Sequence, residues 1–222
     1  MFLISLSLSA EQFNGKIFKN KNCQMVLKNN KELICYSLED KGPLFVEYTL
    51  KGEVKKFKRP GFKQDGRVSY ALQSNNKIYT KSGYDRGHLK SHKSSSYTKK
   101  DVEDCFKFTN ILPQRPYFNR QVWRKTEIIE RGLAKKFTVE VLVGVIFSKD
   151  KFKNVVSLPK YWYKVIHIKD TDKYLCFLFP SDYNYTSVYE MYLYTIEYNK
   201  LIKLIDYSYK YDNIPFKIKG VK

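Results

Sequence analysis

The sequence predicts an α+β fold in a single domain, with a central and mostly antiparallel sheet. Apolar runs of strand length recur along the chain, and short turn signals separate them as in hairpins. One segment near the middle instead carries apolar residues at helical spacing. The 222 residues suit one domain of the larger kind with its own core, and this length does not require two.

The first half of the chain predicts strands and a long loop. Two apolar runs at 33–38 and 44–50 flank a turn that ends in Gly-Pro, and they predict a hairpin. The polar stretch 64–83 predicts a loop. An apolar run at 105–112 predicts a strand that Pro113 ends, because proline cannot continue a strand ladder.

The second half begins with the predicted helix. It starts between residues 117 and 119 and ends near Gly132, since Val122, Ile129 and Leu133 recur at helical spacing and glycine is a common stop. The tyrosine-rich last 40 residues show no clear pattern. The other elements predicted here are strands, a buried central one at 138–147 and a hairpin of 163–168 with 174–179.

The charge balance points to an anionic partner. Lys and Arg number 41 against 22 acidic residues, a formal charge of +19, which exceeds ordinary solubility charge. Nucleic acid is favoured over a membrane, because no apolar run of transmembrane length and no polybasic segment beside an amphipathic helix occurs. With 16% aromatic residues, the chain is not a disordered basic tail.

Residues 1–10 admit two interpretations. Their apolar character and small-residue end are typical of a truncated export signal, although the positive residues that should precede it are missing. That interpretation predicts a periplasmic or secreted protein whose domain spans residues 11–222. The alternative is a first strand with alternating apolar residues, in a cytoplasmic protein.

The cysteines predict disulfides rather than a metal site. All four lack the Cys-x-x-Cys spacing of structural zinc sites. Their even number permits two disulfides, and Cys23 with Cys35 is the favoured pair because Asn29 and Asn30, midway between them, are a turn signal. The alternative is four buried free thiols in a reducing compartment.

The clearest chemical signal is the run Asp85-Arg86-Gly87-His88, followed 31 residues after the histidine by Asn119. Hydrolysis of a phosphodiester needs a base for the attacking water, a cation for the charge that builds on phosphate oxygens, and fixed positive charge beside it. His88, an ion at Asn119 and Arg86 match these three needs.

These residues resemble the DNA/RNA non-specific endonucleases of the ββα-metal (His-Me finger) superfamily. The resemblance covers roughly residues 35–147 and implies a ββα-metal nuclease core on the central sheet. After His88 the chain departs from the family, because a serine-rich stretch replaces the usual small, proline-containing segment. The residues similar to the metal-binding helix of the family are Asn119, Trp123 and Glu127.

The resemblance also implies a role for each candidate residue. His88 is the general base and Asn119 the metal ligand, while Glu127 is too far along a regular helix, about 12 Å, to share the ion directly. It is expected to hold a metal-bound water or Arg131, four residues later. The other implied residues are Arg59 and Arg86 for catalysis and phosphate binding, Asn110 for catalysis, and Gln114 and Arg131 for substrate binding.

Several of these residues have structural alternatives. Asp85 either orients a neighbour or forms an ion pair with Arg86, and Asn119 has a helix N-cap as its alternative. Asn110 and Gln114 have the alternative of satisfying backbone groups. The remaining histidines and Trp123 are assigned structural roles, with His92 exposed and not part of a zinc pair, and His167 and Trp123 in the core.

The predicted activity is a magnesium-dependent, sugar-non-specific endonuclease, with manganese as a substitute metal and DNA and RNA as substrates. The resemblance implies 5′-phosphate products and in-line attack by water that His88 deprotonates. The alternatives are a catalytically silent nucleic-acid-binding module and a phosphodiesterase for small nucleotides. The sequence does not indicate whether a protein inhibitor exists.

Overall fold

The computed structural model describes residues 23–207. Within them the chain forms the strands β1 (Met25–Asn29), β2 (Glu32–Ser37), β3 (Gly42–Leu50), β4 (Asp85–His88), β5 (Ile111–Gln114), β6 (Val139–Phe152), β7 (Val156–Ile168) and β8 (Lys173–Pro180). Six of them form one sheet in the order β1-β2-β3-β6-β7-β8, and each neighbouring pair is antiparallel. The predicted α+β domain with a mostly antiparallel sheet is therefore confirmed.

The predicted hairpins are present in this sheet. The run 33–38 is β2 and 44–50 is β3, and these strands pair with each other. The pair 163–168 and 174–179 lies in β7 and β8, which meet at a turn. β6 is the central strand expected at 138–147, and it is buried from Val139 to Phe147. The segment 1–10 with its export interpretation lies outside the described residues.

The helices are α1 (Asn76–Tyr79), α2 (Lys99–Cys105), α3 (Arg124–Ala134) and α4 (Tyr198–Tyr207). A π-helical turn, Phe118–Trp123, leads directly into α3, so the predicted helix exists and is longer than expected. It continues past Gly132, which lies on the exposed face and has no close neighbour. A glycine there costs only about 1 kcal/mol relative to alanine, so it does not stop the helix.

The strand predicted at 105–112 is wrong in its bounds. α2 precedes it, a 3-10 turn covers Phe108–Asn110, and β5 comes after both. Pro113 lies inside β5 instead of ending it, opposite Arg86 of β4. A proline is tolerated there because β4 and β5 form a two-stranded sheet, in which each strand has an outer edge that needs no ladder partner.

The interface between α3 and the large sheet is aromatic. Trp123 is fully buried, as predicted, and its ring packs edge-on against Trp162 of β7 with 5.3 Å between centroids. The indole thereby fixes the helix that carries Asn119 and Glu127 against the sheet. Within residues 23–207, no helix combines the length and apolarity that crossing a membrane requires.

The cysteines divide into one bonded pair and two thiols. Cys23 and Cys35 form a disulfide, which confirms the favoured pair. Cys105 of α2 and Cys176 of β8 are free and buried. The expectation of a second disulfide is therefore wrong, because these two residues lie on separate elements inside the core.

This arrangement predicts how many thiols react. Without reductant, the unfolded protein should take up alkylating reagent at Cys105 and Cys176 alone. In the native protein both should react slowly, because burial raises the pKa of each thiol to about 12. Intact-mass measurement after alkylation checks both statements. Four alkylated cysteines, or rapid labelling of the native protein, would contradict the structure.

Candidate active site

The Asp-Arg-Gly-His run of residues 85–88 forms the strand β4. Successive side chains of a strand point to opposite faces, so Arg86 and His88 share one face while Asp85 and Gly87 share the other. A Cβ atom at Gly87 would lie 2.5 Å from Oε1 of Gln114, which β5 contributes. Glycine is therefore needed here so that the Gln114 side chain can lie over β4.

His88 lies in an apolar setting. Its ring centroid is 5.3 Å from that of Phe62 and 4.9 Å from that of Phe106, and Nε1 of Trp123 donates to its carbonyl oxygen over 3.2 Å. Its Nε2 atom is buried and has no partner among the described residues. Burial, followed by the positive charge of Arg59, lowers the pKa of His88 to about 3. The imidazole is therefore neutral at physiological pH and able to accept a proton.

This lowered pKa predicts a pH dependence of stability. Between about pH 3, the folded value, and pH 6.5, the unfolded one, only the unfolded chain binds a proton at His88. The free energy of unfolding should thus rise with pH through this window and fall on acidification. His88→Gln should flatten the slope, as measured by urea unfolding across the window. A slope equal to that of the parental protein would contradict the assigned burial.

Arg59 and His92 meet at the same aromatic ring. The Arg59 guanidinium lies 5.4 Å from the centroid of Phe106, and the His92 ring lies 5.6 Å from it. His92 is thus half-buried rather than exposed as expected, because the serine-rich stretch after His88 folds into a 3-10 turn, Lys93–Ser95. The structure brings Arg59 to the general-base candidate, as the sequence predicted.

Asn119 is held by a carboxylate on β4. Its Nδ2 donates to Oδ2 of Asp85 over 2.8 Å, and Arg120 binds the same carboxylate through Nε and Nη2 at 2.9 and 2.7 Å. Asp85 therefore orients Asn119 and pairs with Arg120, not with Arg86. The N-cap alternative is wrong, since Asn119 lies within the π-helical turn. With its nitrogen engaged, the amide leaves its oxygen for a hard cation.

Arg86 is a cation fixed before any substrate binds. Its guanidinium carbon lies 5.3 Å from the ring centroid of Phe62 and 5.4 Å from that of Tyr79. Nη2 donates to the carbonyl oxygen of Asn76 over 3.2 Å. The Nε atom is buried and has no partner among the described residues. The guanidinium is thus held in place on the face of β4 that carries His88.

Glu127 and Arg131 lie together on α3, as their spacing predicted. Oε2 of Glu127 is 3.9 Å from Nη1 of Arg131, which in turn lies 3.3 Å from the hydroxyl of Ser91 and 3.4 Å from that of Ser94. Burial raises the pKa of Glu127 to about 7. The pair therefore links the helix to the segment that follows His88.

Comparison with known proteins decides the family. The model of the family described as DNA/RNA non-specific endonuclease matches residues 9–218. The chain belongs to this family. Endonuclease G, mitochondrial, of Homo sapiens is 29% identical over 154 residues, which cover 60% of this chain and 51% of that protein. Nuclease C1 of Cunninghamella echinulata var. echinulata is 31% identical over 137 residues, 54% of each chain.

These alignments cover only part of each relative. The chain spans about half the length of the curated relatives it matches. Among solved structures, one described as the crystal structure of the EndoG/EndoGI complex contains a chain with a TM-score of 0.69 and 23% identity over 90% of both chains. That likeness shows a common fold and confirms the predicted ββα-metal nuclease core.

In this member of the endonuclease family, Asn110 is bonded to the backbone next to the site. It is fully buried, and its Oδ1 accepts from the backbone N–H of Lys90 over 3.0 Å. Its Nδ2 donates to the carbonyl oxygens of Lys90 and Cys105, each over 2.9 Å. These hydrogen bonds satisfy backbone groups after His88 and favour the structural alternative for Asn110, whose predicted catalytic role stays a prediction.

Gln114 differs from Asn110, although the sequence left both residues the same choice between a role in the site and hydrogen bonding to backbone groups. Its side chain is 1% exposed, and neither amide atom has a hydrogen-bond partner among the described residues. Gln114 pairs across the hairpin with Asp85. Hydrogen bonding to backbone groups therefore does not explain Gln114, whose amide atoms are buried without a partner among the described residues.

A buried ion pair behind the site was missed by sequence reasoning. Nζ of Lys164 lies 2.7 Å from Oε2 of Glu130, and neither side chain is exposed. Oε1 of Glu130 accepts from Tyr48 over 2.9 Å and from Ser94 over 2.6 Å. Lys164 also lies 4.6 Å from the ring centroid of Trp123. The one sequence sign was a lysine that interrupts the apolar run of β7.

Proposed function

We propose that this chain is a magnesium-dependent, sugar-non-specific endonuclease that hydrolyses DNA and RNA and leaves 5′-phosphate ends. The observation that carries the proposal is the setting of His88 on the strand face of Arg86. Burial, and then the charge of Arg59, lower the pKa of this imidazole and keep it neutral. A neutral base beside fixed cations suits attack of water on an anionic diester. Membership of a nuclease family supports the same activity.

The donor chemistry at Asn119 fits a divalent metal ion. Its amide is oriented by Asp85, so that a neutral oxygen faces away from the carboxylate. Magnesium prefers oxygen ligands and keeps several waters, and manganese accepts the same ligand type. When bound, the ion supplies Lewis-acid stabilisation of the charge that builds on the phosphate oxygens.

Protein residues carry out the proton transfer and bind the substrate. His88 accepts a proton from the attacking water. Arg59 and Arg86 hold the diester through planar forks, which bind two oxygens at once. Arg131, anchored at Ser91 and Ser94, contacts the substrate strand, and Glu127 orients it. Gln114, at the end of β5, is the remaining substrate-binding candidate.

Recognition rests on charge rather than on base sequence. The formal charge of +19 attracts a polyanion and makes binding sensitive to salt, because each phosphate contact releases counterions. Phosphate contacts carry no sequence information. We therefore propose cleavage of DNA and RNA with little dependence on the sugar.

The cellular location and the protein partners are proposed from the disulfide and from the similar proteins. The disulfide between Cys23 and Cys35 suits an oxidising compartment, which supports a periplasmic or secreted protein. Relatives from Homo sapiens and Saccharomyces cerevisiae carry mitochondrial names, so compartments differ within the family. Because the similar solved structure is a complex that explains inhibition of EndoG, a protein inhibitor is a further proposed partner.

A closed circular plasmid tests the proposed function. The enzyme should convert the supercoiled circle to nicked and linear forms with magnesium and should leave it intact with chelator. A silent binding module would retard the plasmid in a gel without cutting it. A phosphodiesterase for small nucleotides would cleave a dinucleotide analogue and leave the circle closed. Either of these two outcomes would refute the proposal.

A further inference from the structure

An arginine next to Asn119 in the chain binds both oxygens of the Asp85 carboxylate. Arg120 donates from Nε to Oδ2 of Asp85 over 2.9 Å and from Nη2 to Oδ1 over 2.7 Å. A third bond to this carboxylate comes from Nδ2 of Asn119, which donates to Oδ2 over 2.8 Å. Both oxygens are therefore engaged, and the planar guanidinium fixes the plane of the carboxylate.

The helical turn presents two neighbouring side chains to this one carboxylate. Asn119 and Arg120 both lie in the π-helical turn Phe118–Trp123. Consecutive side chains of a helix point about 100° apart, so the long stem of arginine is needed to bring its guanidinium back to the group that Asn119 binds. Turns of this type are rare and often lie at functional sites. An amide and a cation thus meet at Asp85.

The pair of Arg120 and Asp85 is better explained by orientation than by stability of the fold. The Arg120 side chain is 66% exposed and that of Asp85 is 18% exposed. Ion pairs at the surface contribute little to the free energy of unfolding, because water and salt screen them. What the pair does provide is a carboxylate with a fixed plane beside the proposed metal ligand.

An unrestrained carboxylate at this position would compete with Asn119 for the metal ion. Magnesium in proteins is usually bound through one or two carboxylates, and Asp85 directly contacts the amide that we assign as the ligand. In residues 23–207, no group of three or more His, Cys, Asp or Glu side chains could hold a metal ion. The described part of the site therefore depends on few donors, and one freed carboxylate would change it substantially.

We propose that Arg120 is a positioning residue that keeps the Asp85 carboxylate from binding the metal ion, so that the neutral amide oxygen of Asn119 remains the ligand. The inference rests on the proposed metal-dependent function and gives a role to a residue outside its catalytic and substrate-binding groups. Arg120 also balances the charge of Asp85, which leaves the positive charge of a bound ion available to phosphate oxygens. Weak metal binding is the consequence of both effects.

Manganese binding in the absence of substrate tests the proposal, since this ion accepts the same oxygen ligands. Arg120→Ala frees a carboxylate, so the affinity for manganese should rise at least about threefold, as measured by electron paramagnetic resonance of the unbound ion. Plasmid cleavage at saturating magnesium should instead fall about threefold or more, because the carboxylate then offsets the charge that phosphate oxygens need. A merely structural defect would weaken both binding and cleavage.

Two further variants show whether the freed carboxylate causes the gain in affinity. Arg124→Ala removes an exposed arginine from α3, four residues after Arg120, and should keep manganese affinity within about twofold of the parental value. Arg120→Ala combined with Asp85→Asn replaces the freed carboxylate by a neutral amide and should lose the gain.

Folded Arg120→Ala with unchanged or weaker manganese binding would overturn the inference, and so would an equal gain in Arg124→Ala. A higher KM for DNA with unchanged manganese affinity would also overturn it, because Arg120 would then contact substrate instead. All variants must melt like the parental protein. If Arg120→Ala does not, Arg120→Met keeps most of the aliphatic stem and removes the guanidinium.

Binding and cleavage separate this inference from the proposed function. If the parental protein binds manganese and cuts no plasmid, the nuclease is refuted, and the affinities of the variants still decide the role of Arg120. If it cuts plasmid but binds no manganese at concentrations that saturate cleavage, the nuclease stands and the role assigned to Arg120 is overturned.

Discussion

His88→Ala should lower plasmid cleavage by about a hundredfold or more and leave nucleic-acid affinity nearly unchanged. The substitution removes the imidazole that lies on the strand face of Arg86 and whose pKa burial and Arg59 lower to about 3. It leaves Arg59, Arg86 and Asn119 in place to hold the substrate. Cleavage rates on supercoiled plasmid and anisotropy with a labelled strand measure the two quantities separately.

His167→Ala is the matched control for this substitution. His167 lies on β7, where its ring stacks on Tyr174 with 4.3 Å between centroids and contacts Glu140 and Asp172. It is half-buried and not the packed core residue expected from sequence. The control should cut plasmid at close to the parental rate. If folded His88→Ala does so as well, His88 is not the general base.

Lys164→Met should destabilise the protein by about 3–5 kcal/mol, because it leaves the carboxylate of Glu130 buried without its cation. The same loss should loosen the contacts of Glu130 with Tyr48 and Ser94, which connect β3 to the segment after His88. Urea unfolding of the parental protein and the variant measures the change. Activity should fall in parallel as the segment loses its anchor.

Two variants show whether the pair itself causes this loss. Lys160→Met, on the same strand, breaks the exposed pair with Asp182 and should cost at most about 1 kcal/mol. Glu130→Leu combined with Lys164→Met removes both charges and should recover most of the stability, since apolar replacements of buried pairs are often neutral. Equal losses for the Lys164 and Lys160 variants would contradict the buried ion pair.

Local patterns were enough to predict much of the fold. The hairpin of β2 and β3, the central strand β6 and the Cys23–Cys35 bond each follow from neighbouring residues, whose periodicity or turn signals act over short distances. The approach of Arg59 to His88 was predicted by family resemblance and not by any local pattern.

The sequence predictions that failed concern contacts between segments that are distant in the chain. Glu130 lies on α3 and Lys164 on β7, and each charge by itself predicts solvent exposure. Burial is tolerable only because the two side chains form an ion pair. Pro113 predicts the end of a strand, yet the two-stranded sheet around it leaves an edge that tolerates proline. For Asn110, the sequence left a catalytic and a structural role open, and the hydrogen bonds to Lys90 and Cys105 favour the structural one.

The magnesium dependence of cleavage tests the central claim, that His88 supplies the base and Asn119 the metal ligand. Asn119→Ala should cut slowly at low magnesium and recover part of its rate as magnesium rises, because mass action refills a weakened site. His88→Ala should stay slow at every concentration, since no amount of metal replaces the missing base. Asn119→Ala with the parental magnesium midpoint, or His88→Ala restored by magnesium, would contradict this division of roles.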